Sequence, residues 1–93
     1  MTLSDLYKKT HEHVKAHNWG AYPYEHYELL SLLVRLAKPN EILELGTAIG
    51  LSAISMALGN PDCKIDTIEK SKENIFQAKK NAEIFGVLHQ FNF

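Results

Sequence analysis

The 93-residue chain is 45 % hydrophobic and 23 % charged, with a formal net charge of −1, which is the balance of one small globular domain. This charge lacks the basic footprint of an electrostatic nucleic-acid or anionic-membrane binder, although a tRNA substrate stays compatible with it. Cys63 is the single cysteine, so no internal disulfide forms. No apolar run approaches the ~20 residues that span a bilayer, and Met1 to Asp5 lacks the parts of a signal peptide; a cytoplasmic location is the expectation.

In chain order, Leu3, Leu6, Tyr7, Thr10 and Val14 recur at helical spacing, with Thr2 or Ser4 placed as N-cap. This first helix is expected to stop near Asn18-Trp19-Gly20, and Pro23 restarts the chain in a second, leucine-rich helix over 24–37. It ends before Pro39. Glu41 to Leu45 reads as a strand, followed by a glycine turn and a helix from Leu51 to about Leu58. Turn chemistry at Gly59-Asn60-Pro61-Asp62 precedes a second strand, Lys64 to Ile68. Ser71 caps a third long helix reaching about Phe85, with Gly86 as its terminating glycine, and 89–93 alternates like a third strand.

Residues 1–38 thus form an N-terminal helical segment, and residues 39–93 the opening βαβαβ part of an α/β, Rossmann-like, doubly wound parallel sheet. Right-handed crossovers are expected. Such sheets have ~5–6 strands, and three strands predict the N-terminal half of a larger domain. The open edge of the first strand, carrying Ile42, Leu43 and Leu45, predicts a homo-oligomer.

The chemistry concentrates at Glu44-Leu45-Gly46-Thr47-Ala48-Ile49-Gly50-Leu51-Ser52. A buried strand, a glycine turn and a helix start bring backbone close to a nucleotide-like ligand. A pyrophosphate turn reads Gly-x-Gly-x-x-Gly, whereas Ala48 and Leu51 break that spacing here. What remains suits a ligand that presents amine and hydroxyl donors. Glu69, 23 residues beyond Gly46 and at the end of the second strand, offers two acceptor oxygens to a ribose diol. Glu44 interrupts an apolar strand, where a carboxylate needs partners; it either organises the turn or accepts from a ligand amine. Ser52 either caps the helix or reaches a ligand carboxylate.

His13 and His17 share a helix face, but Lys15 stands where a His-Glu-x-x-His site needs its second histidine, so His11, Glu12 and His13 are read as a solvated face. Lys79-Lys80 is an exposed helix patch. Trp19, Tyr22 and Tyr24 are read as packing aromatics, and Cys63 as a small buried hydrophobe.

The segment Glu44 to Ala53, with Thr67-Ile68-Glu69, resembles the class I S-adenosylmethionine-dependent methyltransferases. More narrowly, it is similar to the catechol and caffeoyl-coenzyme A O-methyltransferases and their bacterial relatives, over residues 22–93. The resemblance implies that Gly46 and Thr47 meet the methionine part through backbone beside Gly50, and that Ser52 bonds its carboxylate. It further implies that Glu44 organises the methionyl end, Glu69 holds the ribose hydroxyls, and Tyr22 lies near a cofactor contact. Leu51 and His26 depart from the residues that relatives often carry there. The implied reaction moves a methyl group from S-adenosyl-L-methionine to a hydroxyl of a small molecule or tRNA. The family's divalent cation, usually magnesium, takes its ligands from segments later than this sequence, as does the catalytic lysine. Two alternatives stand beside this reading: a non-catalytic cofactor-binding fragment or pseudoenzyme, and an NAD-type dinucleotide-binding half-domain.

Overall fold

The computed structural model describes residues 1–16 and 23–93; the expectations that concern His17, Trp19 and Tyr22 lie outside them. Helix α1 runs Leu3–Ala16. Thr2 caps it, its hydroxyl accepting from the Asp5 amide while the Asp5 carboxylate accepts from the Thr2 amide, a reciprocal closure of two otherwise orphaned donors. Helix α2, Tyr24–Ala37, starts after Pro23 and stops at Lys38, which takes the left-handed conformation with φ 49°. Tyr24 and Tyr27 of α2 pack at a tilt against Tyr7 of α1, with ring centroids 5.4 and 5.9 Å apart. Tyr24 therefore packs, as its sequence context suggested.

Strand β1 (Glu41–Leu45) leads through the glycine turn to α3 (Leu51–Gly59), β2 (Lys64–Ile68) and α4 (Lys72–Ile84). The Ser71 hydroxyl caps α4 by accepting from the Asn74 amide at 3.2 Å. A single 3₁₀ turn at Leu88–Gln90 then precedes the short β3, Phe91–Asn92. The sheet is parallel throughout, in the order β1-β2-β3. The α/β expectation holds, with one correction to its last element. The strand expected over 89–93 is reduced to two residues because Gln90 turns inward: its side-chain amide donates to the carbonyls of Asn60 and Cys63 at 2.9 and 3.0 Å. Satisfying those loop carbonyls requires the tighter turn. The alternation read as a strand was partly this buried glutamine.

Helices α1, α3 and α4 share one core with the sheet. Leu6, Ile54 and Ile65 are fully buried in it, with Leu51, Ala82 and Val87 around them. Cys63 is also fully buried, and burial pushes its thiol above its ordinary pKa. The opposite face differs. Leu43, Leu45 and Ile68 are 66 %, 76 % and 57 % exposed, although parallel sheets normally have both faces covered. Leu29, Leu33 and Leu36 form a second exposed apolar stripe on α2.

Contact between α2 and α3 depends on Gly59, because a methyl group there would collide with the backbone carbonyl of Ser31 and press on Val34. Backbone cannot yield as a flexible side-chain end does. Gly59→Ala is expected to cost ~1–3 kcal/mol, the usual penalty of overpacking. A lowered urea midpoint checks this; an unchanged midpoint would mean that α2 does not sit so closely on α3.

Candidate functional site

Because β1 and β2 run parallel and in register, with Glu44 opposite Thr67 and Leu45 opposite Ile68, both strands finish at the same end of the sheet. That end is where α/β proteins collect ligands. The Gly46 amide continues the ladder one step, donating to the Ile68 carbonyl at 2.8 Å. The chain then turns through three left-handed residues, Gly46, Ala48 and Gly50, with φ of 89°, 49° and 98°. Glycine adopts such angles without strain, whereas Ala48 carries a cost of ~1–2 kcal/mol. So position 48 has the backbone conformation glycine prefers, although the sequence places alanine there. The Ala48 amide is thereby directed to Glu69 Oε1 at 2.8 Å.

Glu69 also accepts from the Ser71 amide, at 3.0 Å through Oε2. Burial alone would raise its pKa. The amides of Ser71 and Ala48, with help from the Asn74 side chain and the Lys70 amide, outweigh that and hold the carboxyl below its ordinary value. Each oxygen keeps acceptor capacity beyond these bonds. It opens on a cleft of about 810 Å³ lined by Gly46, Ile68, Glu69, Lys70 and Asn74, with His13 of α1.

Glu44 is set differently. Its Oε2 accepts from the Ser52 hydroxyl, and its Oε1 from the Thr67 hydroxyl at 2.8 Å. Thr67 in turn shares a hydrogen bond with the Thr47 hydroxyl, and both threonines are only 1 % exposed. Burial pushes the Glu44 carboxyl upward, opposed by the bonds from Ser52 and Thr67. Ser52 borders a second hollow of about 370 Å³, walled by His26, Tyr27, Leu29, Leu30 and Leu33 of α2. The structure therefore gathers all six sequence-derived candidates around one turn but divides them. Gly46 and Glu69 face the larger cleft, Ser52 with Glu44 lies toward the smaller, and Thr47 is buried between strand ends. Gly50 opens α3, where an added side chain would touch Ala78 of α4.

Thr67 is the residue that sequence reasoning did not single out. In the sequence it is one β-branched residue of the second strand, two residues before Glu69; only the register of the sheet sets it against Glu44. Lys79 and Lys80 form an exposed patch as expected, each over a phenylalanine ring, Phe93 and Phe76. Among the described residues, no group of three or more His, Cys, Asp or Glu side chains comes together as a metal site.

The sequence model of the O-methyltransferase family matches residues 1–93. The chain belongs to the O-methyltransferase family. It is similar to the O-methyltransferase TomG of Streptomyces achromogenes, which is involved in tomaymycin synthesis and was solved in complex with SAM: 29 % identity, TM-score 0.78, covering 92 % of this chain and 40 % of TomG. It is also similar to an O-methyltransferase of Bacillus cereus solved with SAH, at 26 % identity, TM-score 0.75, 92 % of this chain and 40 % of that one. The SAH-bound methyltransferase PaMTH1 of Podospora anserina shares the fold, with TM-score 0.81 at 23 % identity over 97 % of this chain and 39 % of its own. This O-methyltransferase-family chain spans about 40 % of the length of the first two of these relatives.

The raised pKa of Glu44 gives this family member a distinct pH signature. Its folded-state pKa lies above the ordinary value of 4.5, so the folded chain binds this proton more tightly than the unfolded chain does. Its contribution to stability is greatest when protonated and declines as pH rises from about 4.5 through the raised value. Glu44→Gln removes that decline. The stability difference between Glu44→Gln and wild type is expected to move in the variant's favour with rising pH, measured by urea unfolding at several pH values. A difference independent of pH would contradict the setting of Glu44.

Proposed function

We propose that this chain is the cofactor-holding portion of an S-adenosyl-L-methionine-dependent O-methyltransferase. The observation that carries the reading is the pair of carboxylates flanking the left-handed turn. Glu69 is held by the Ala48 and Ser71 amides, with acceptor capacity to spare, and Glu44 is held behind Ser52 and Thr67. A nucleoside with an amino-acid tail offers donors for both ends, a ribose diol at one and an ammonium at the other. The relatives crystallised with SAM and SAH support the same ligand class.

When bound, S-adenosyl-L-methionine supplies a methyl group on a sulfonium, open to in-line attack by an acceptor oxygen. The residues present bind and orient. Glu69 accepts the ribose hydroxyls, Gly46 and Thr47 approach the methionine part through backbone, and Ser52 with Glu44 fixes its amino-acid end. Holding the donor in one pose converts a chance encounter into an effectively intramolecular step. The acceptor, a hydroxyl of a small molecule or tRNA, and a divalent cation would be held by parts of the fold beyond the 40 % of relatives' length represented here.

Calorimetry with S-adenosylhomocysteine and with NAD tests this reading. S-adenosylhomocysteine is expected to bind in preference to NAD, and Glu69→Ala to weaken it by roughly 10- to 100-fold, the worth of hydrogen bonds to a charged acceptor. Preference for NAD would overturn the assignment in favour of a dinucleotide half-domain.

A further inference from the structure

Helix α4 carries two buried asparagines whose carboxamides are used differently. Asn81, 1 % exposed, donates through Nδ2 to the Ile49 carbonyl at 2.9 Å. Asn74, 7 % exposed, sits three residues after the capping Ser71, where a side chain commonly reaches back to the amide of the cap. That amide is already taken, because it donates to Glu69 Oε2 at 3.0 Å. The Asn74 backbone amide completes the cap by donating to Ser71 Oγ. The helix start therefore makes no demand on the Asn74 side chain.

Asn74 lines the cleft of about 810 Å³ that Glu69 also lines. Its carboxamide is near enough to Glu69 to help hold that carboxyl below its ordinary value, so the Nδ2 group is the part turned to the carboxylate. Among the described residues this side chain has no other hydrogen-bonding partner. A carboxamide offers two N–H donors and an acceptor oxygen, and a buried polar group without partners is costly. Glu69 accounts for one N–H; the second is left for whatever fills the cleft. The ionised Glu69 can only accept. A ribose hydroxyl both donates and accepts, so a diol that gives its protons to Glu69 keeps oxygen lone pairs that no carboxylate can satisfy. The neighbouring Nδ2 group can satisfy one.

Resting on the cofactor reading above, we propose that Asn74 is a second ribose contact, its Nδ2 group donating to an oxygen of the diol whose protons go to Glu69. The pair then engages a hydroxyl in both its capacities, with the acceptor on β2's end and the donor on the first turn of α4. Selectivity follows from this arrangement. A sugar without hydroxyls would leave both the carboxylate and the Nδ2 group unpaired, and a site built to hydrogen-bond a hydroxyl rejects the analogue that lacks it for that reason.

The test is calorimetry on the 93-residue chain with S-adenosylhomocysteine and with its 2′,3′-dideoxy analogue, which lacks both ribose hydroxyls. The wild-type chain is expected to prefer S-adenosylhomocysteine. Asn74→Ala should weaken S-adenosylhomocysteine about three- to tenfold, the net worth of one hydrogen bond between uncharged groups, and shift the dideoxy analogue by less than about twofold. Asn74→Asp keeps the shape of the side chain and removes the donor; it should show the same selective loss and serves if Asn74→Ala does not fold. Equal weakening of both ligands, no weakening of either, or a wild-type chain that does not distinguish them would overturn the contact at Asn74 while leaving the cofactor reading intact. Failure of the wild-type chain to bind S-adenosylhomocysteine would overturn both.

Discussion

The parallel pairing of β1 with β2 is the constraint from which the site follows. Its register sets Glu44 against Thr67 and Leu45 against Ile68, so two strands end level and the turn after the first can close onto the second. The Gly46 amide makes that closure by bonding the Ile68 carbonyl. Slipping the register by one residue would move Thr67 to the opposite face. Glu44 would then be a partly buried carboxylate with one donor in place of two, which is costly in an apolar setting. The polar cluster and the strand alignment therefore require each other.

Two glutamates of identical chemistry are tuned in opposite directions within this small region. Glu69 lies at a strand end where backbone amides converge, and its carboxyl falls below the ordinary range despite the opposing effect of burial. Glu44 lies inside the strand, where burial outweighs two hydroxyl donors and raises it. The difference comes from position along the strand, since amides become available only where the ladder ends. In the proposed cofactor site, the carboxylate that accepts from the ribose is Glu69, the one held in its ionised form. A charge whose value lies in fixing neighbouring hydroxyls belongs at Glu44.

Much of this arrangement was legible from residues alone. The apolar residues within 41–45, the β-branched residues within 64–68, the caps at Thr2 and Ser71 and the turn at Gly46 to Gly50 each announce local structure, and the elements form where that chemistry puts them. Three features were not legible. Gln90 looks like part of an alternating strand but is buried to satisfy loop carbonyls that are distant in sequence. Ala48 hides a left-handed residue behind a side chain that disfavours it, because the bond to Glu69 offsets the strain. Thr67 reads as an ordinary β-branched strand residue until the register brings it against Glu44. All three depend on long-range contacts, which periodicity does not encode. The exposed leucines of β1 and α2 show the converse: their hydrophobicity is plain in sequence, and the described residues leave them uncovered.

The central claim is that the strand ends, the turn and both glutamates act as one ligand-binding unit. It is tested most directly by following backbone amide resonances while titrating the chain with S-adenosylhomocysteine. The account predicts that amides from Gly46 to Ser52 and from Glu69 to Ser71 shift together, on a single binding curve, while those around Lys79 and Lys80 on α4 stay in place. Shifts confined to α4, or a turn that does not respond while the rest of the chain does, would contradict it.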